Sequence, residues 1–81
     1  MKLEILTPDK TIYKGEVISV TVPGTMGSFQ VLKGHAPIIS TLEDGTVTLN
    51  STKGIETFYI KKGVVEVDND SIIVLAESST N

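Results

Sequence analysis

The stretch that decides the fold is "VVEVDNDSIIVLAE", residues 64–77. Val65 and Val67 alternate with an outward Glu66, the two-residue period of a strand with one face in a core. Asn69 and Asp70 then reverse the chain. The next residues, Ile72, Ile73, Val74 and Leu75, are all apolar, so both faces of this last strand should be covered. One cover is the core and the other a neighbouring element or a partner subunit.

The same period extends toward the N-terminus. In "EVISVTVPG", residues 16–24, Ile18, Val20 and Val22 are expected to point inward, with Val17, Ser19 and Thr21 outward. "TVTLN" turns Val47 and Leu49 inward, and "IETFYIK" turns Phe58 and Ile60 inward. No segment has the three-and-four spacing of an amphipathic helix. Turn signals fall at Pro8-Asp9, Pro23-Gly24, Lys33-Gly34, Asp44-Gly45, Lys53-Gly54, Lys62-Gly63 and Asn69-Asp70. Short strands so punctuated predict an all-β fold, an antiparallel β-sandwich or flattened barrel, in one domain over residues 1–81.

Composition narrows the function. A chain of 81 residues with 7 Lys plus Arg against 10 Asp plus Glu has a net charge of -3, and this lacks the basic field that nucleic acid or anionic lipid requires. The four aromatic rings, Tyr13, Phe29, Phe58 and Tyr59, are too few for a base-stacking surface. With no cysteine there is neither a disulfide framework nor a thiolate metal site. The acidic residues of the first sixteen positions do not suit a signal or transit peptide, so the protein is expected to stay where it is made. The longest apolar run, "SIIVLA", falls far short of the roughly 20 residues that cross a bilayer, so membrane association is expected through a partner and not by insertion.

Catalytic chemistry finds little footing. His35, the one histidine, lies in "GTMGSFQVLKGHAP", residues 24–37, with no nucleophile signature beside it. It reads as a residue that braces its turn or meets a protein partner. Gly24 and Gly27 are too close for a dinucleotide fingerprint, and no Gly-Lys-Ser/Thr follows as in a phosphate loop, so they read as turn glycines. Glu43-Asp44 and Asp68 with Asp70 are turn carboxylates, and "DND" lacks the glycine and distal glutamate of a calcium loop. No catalytic, cofactor-binding or metal-binding residue is assigned, and no small-molecule substrate. A generic β-sandwich interaction module, for instance an adhesion or carbohydrate-binding domain, would want exposed aromatics and a secretory signal, which leaves it as the weaker alternative.

One resemblance is more specific. In "ISVTVPGTMGSFQVLKGHAPIISTLEDGTVTL", Gly24, Gly27, Phe29, Val31, Leu32, Gly34, His35, Ala36, Pro37 and Gly45 match the pattern of the N-terminal β-sandwich of F-type ATP synthase epsilon subunits. "LEILTPDKTIYKGEV" resembles that family's first hairpin and "YIKKGVVEVDNDSIIVLAE" its closing strands, so the likeness covers nearly the whole chain. Lys33 stands at a usual proline and Gln30 at a common glycine. The family's C-terminal helical hairpin has no counterpart before Asn81, which is expected of a naturally short subunit or of a truncated sequence.

The resemblance implies a non-catalytic central-stalk rotor subunit that binds gamma and the c-ring and couples proton or sodium flow to ATP synthesis. It implies a peripheral place on the cytoplasmic face of the bacterial inner membrane. It puts Thr25, Met26, Gly27 and Ser28 against the c-ring, turns His35, Ser40 and Thr7 toward gamma, and gives Gly24, Gly34, Pro37 and Gly45 to turns. Ser28 occupies a position where an acidic side chain often meets a c-ring arginine, so Met26 is expected to contribute packing there instead.

Overall fold

A computed structural model describes residues 1–80. Eight strands follow one another: β1 (Lys2–Leu6), β2 (Thr11–Glu16), β3 (Ser19–Val22), β4 (Phe29–Leu32), β5 (Ile38–Leu42), β6 (Gly45–Ser51), β7 (Gly54–Asp68) and β8 (Ser71–Thr80). Their order is β2-β1-β8-β7-β6-β3-β4, with β5 also on β7. β7 joins the two layers. Its first half pairs with β6 from Gly54 to Ile60 and its second half with β5 from Gly63 to Val67, while β8 runs along its other edge. The front layer is therefore β2-β1-β8-β7-β5 and the back layer β4-β3-β6-β7.

Between the layers lies the core that the alternation predicts. Leu3, Ile5, Val65, Val67, Ile72 and Val74 come from the front, and Val20, Val22, Val31, Val47, Leu49, Phe58 and Ile60 from the back. Each such side chain contributes about 1.5–3 kcal/mol on burial. The exposed Lys61–Asp44 ion pair, at 4.0 Å, belongs to a class worth about 1 kcal/mol at most. Burial, not surface charge, holds the sandwich together.

Two sequence expectations fail here. Lys62-Gly63 is not a turn, because β7 continues through it without a reversal. Lys62 takes a positive φ of 39°, and its N–H donates to Asp44 Oδ1 at 2.9 Å, which pins the bend where β7 passes from one layer to the other. At Gly63 a Cβ would collide with the Leu75 carbonyl of β8. The glycine permits a close approach of two strands at a sandwich corner, a role that resembles turn punctuation in sequence. Ile18, expected inward, is 54% exposed. The chain kinks between β2 and β3, where Val17 N–H bonds to Met1 O at 2.8 Å and Ile18 N–H to Asn50 O at 2.7 Å, so Val17 turns in and Ile18 out.

One pairing was not legible beforehand. β1 and β8 run parallel, from Lys2 beside Ser71 to Leu6 beside Leu75, whereas every other pair is antiparallel. Strands this far apart in sequence are not held to hairpin geometry.

Candidate interaction face

With alternate residues of β7 and β8 in the core, their remaining side chains define the outer surface of the front layer. One cross-strand row on that surface runs Thr41, Val64, Leu75 and Leu6. The next runs Ile39, Glu66, Ile73, Glu4 and Lys14. Leu75 is 52% exposed, Ile39 72% and Val64 37%, and Ile73 and Leu6 are half-buried. Among the described residues, nothing supplies the second cover expected for the last strand. A shallow groove of about 560 Å³ crosses the first row, with Thr25, Thr41, Val64, Leu75 and Pro8 among its walls.

The loop 25–28 adjoins this surface. Gly24 forms an antiparallel bridge with Leu42, Thr25 N–H donates to Thr41 O at 3.1 Å, and the Thr25 and Thr41 hydroxyls meet at 2.7 Å. Gly27 has a positive φ of 123°, and Gly24 leaves no room for a Cβ, which would lie 2.7 Å from the Gly27 carbonyl oxygen. These contacts fix the base of the loop on β5 and present Met26, 99% exposed, at its tip.

The remaining candidates are dispersed. His35 N–H closes a turn onto Leu32 O at 3.0 Å, Nδ1–H donates to Ala36 O at 2.6 Å, and the ring lies 6.4 Å from that of Phe29. Among the described residues, its ring makes no other hydrogen bond and no ion pair. Thr7 is half-buried in the β1–β2 connection, its N–H on Lys10 O at 3.0 Å. Ser40 falls on the inward phase of β5 between Ile38 and Leu42, with its hydroxyl on Thr41 O at 3.2 Å. Gly34 sits at φ 86° in the turn before Pro37. Gly45 begins β6.

Among the described residues, no group of three or more His, Asp or Glu is placed to hold a metal ion. What the surface offers is desolvation of exposed apolar area, a driving force of roughly 25 cal/mol per Å². Ile39, Thr41 and Val64 escaped the residue-by-residue reading, although the apolar run at 72–75 already asked for a second cover.

Comparison with known proteins supplies context for such a surface. Residues 1–81 match the family described as ATP synthase, Delta/Epsilon chain, beta-sandwich domain. The ATP synthase epsilon chain of Sulfurimonas denitrificans is 48% identical over 80 residues, covering 98% of this chain and 62% of its own length. That of Chlorobium limicola is 46% identical over 77 residues, covering 94% of this chain and 88% of its own length. The present chain thus spans under two thirds of the first relative and most of the second. A chain in the cryo-EM structure of Euglena gracilis mitochondrial ATP synthase, OSCP/F1/c-ring in rotational state 1, superposes with a TM-score of 0.89 at 22% identity, over 96% of this chain and 51% of that one. That agreement concerns the fold.

Proposed function

The chain belongs to the ATP synthase Delta/Epsilon chain β-sandwich family, and from that premise we propose that it is a non-catalytic rotor element which couples the rotation of a c-ring to a gamma subunit. The observation that carries the reading is the uncovered apolar row Val64, Leu75 and Leu6, continuous with the anchored loop 25–28. Gamma covers the front layer, and Thr25, Met26, Gly27 and Ser28 rest on the c-ring. His35 and Thr7 flank the gamma contact, and Ser40 reaches it past the open edge of β5. Proton or sodium flow turns the ring. The sandwich passes torque onward as a stiff body, since both contact regions hang on β5 and the strands beside it. Its place is peripheral, on the cytoplasmic face of a bacterial inner membrane.

Sedimentation of the chain with gamma from the same organism tests this reading. A stable complex is expected, with the outer front layer protected from hydrogen exchange. A folded chain that sediments alone at micromolar gamma would overturn it.

A further inference from the structure

Glu66 is the anomaly of the front face. It lies between Ile39 on one neighbouring strand and Ile73 on the other, on a strand internal to the layer. Among the described residues no cation lies within ion-pair distance of it. In the free chain water solvates this carboxylate, which is exposed. Any partner that covers Val64, Leu75 and Ile73 must strip that water away. A buried carboxylate left without a counter-charge costs far more than apolar burial around it returns.

We propose that the protein covering this face lays a basic side chain, arginine before lysine, into the open groove over the paired β5 and β7 strands and pairs it with Glu66. The inference rests on the docking face described under Proposed function and specifies the chemistry of its occupant. The groove, of about 360 Å³, is open to solvent and lined by Pro37, Ile38 and Ile39 together with Glu66, Val67 and Asp68 of β7. Its shape suits a long basic residue, whose aliphatic stem lies along the apolar wall while its head stays polar. Glu66 and Asp68 share the outward phase of β7 about 6.6 Å apart along the strand, so a guanidinium fork can engage Glu66 and still lean on Asp68. Glu4, one strand beyond Ile73, stands directly across from Lys14 on β2 in register, so a cation lies on the neighbouring strand within this chain, whereas the residues on either side of Glu66 are Ile39 and Ile73. The net charge of -3 favours approach of a cationic surface.

The test measures the affinity of the full chain for gamma at several salt concentrations, for the parent, Glu66→Gln, Glu66→Lys and Leu75→Asp, with thermal unfolding of each to certify the fold. The expected result is at least about tenfold weaker binding for Glu66→Gln, with a shallower salt dependence than the parent, and a larger loss for Glu66→Lys. If Leu75→Asp weakens binding while Glu66→Gln matches the parent at every salt concentration, the docking face stands and the basic anchor is overturned. If Leu75→Asp also binds like the parent, the docking face fails and the anchor with it.

Discussion

The two outer faces of the sandwich share one core and differ in what they show to water. On the back layer, Gln30, Thr21, Thr48 and Thr57 form one cross-strand row and Thr46 stands opposite Tyr59. Hydroxyls on a pleated surface combine high strand propensity with full hydration, and the exposed apolar residues of that face, Leu32 and Ile55, stand apart at the two ends of the next row, with Ser19 and Asn50 between them. The front layer puts Val64 and Leu75 in the equivalent outward register. Neither helps the isolated chain, because area left in water contributes no hydrophobic stabilisation. The difference teaches that the inward register of each strand answers to the fold, and the outward register to what each face must meet.

The contrast can be broken most severely at the corner that both faces share. Gly63→Val should drive a side chain into the β8 backbone and destabilise the domain by about 3 kcal/mol. Thermal unfolding should then fall by more than ~12 °C, and an unchanged midpoint would refute the close approach. Next comes a matched pair. Leu75→Asp on the front should weaken gamma binding by about 2 kcal/mol or more, whereas Thr57→Asp on the back should change it by less than ~0.5 kcal/mol. Equal losses would erase the distinction between the faces. A smaller effect is expected from Asp44→Ala, which frees the Lys62 N–H; in this exposed setting urea unfolding should report about 0.5–1 kcal/mol. Smallest in stability is Met26→Asp, expected within ~0.5 kcal/mol of the parent because the side chain touches almost nothing. In the assembled complex it should still weaken c-ring association severalfold, and unchanged association would count against a packing role for Met26.

Much of this architecture is legible in the sequence. Val47, Leu49, Phe58, Ile60, Val65 and Val67 lie inward as their alternation requires, since a two-residue period maps directly onto one buried face. Ile18 and Lys62-Gly63 mislead for a common reason: a kink between strands and a bend within one depend on bonds to distant residues, Asn50 and Asp44, that no local pattern encodes. The same limit hides the parallel meeting of β1 and β8. At the candidate site, the run 72–75 signals an unmet need for cover. The cross-strand neighbours that complete the surface, Ile39, Thr41 and Val64, emerge only once register is known. Glu66 reads as an ordinary outward residue until Ile39 and Ile73 are found on either side of it.

The parallel β1–β8 pair has a mechanical meaning. Five residues of the first strand lie beside the last strand, so tension between the start of β1 and the end of β8 acts along the strands. Such a load shears the ladder as a set, where an antiparallel hairpin pulled at its open end would unzip bond by bond. A sandwich latched in this way yields abruptly or not at all.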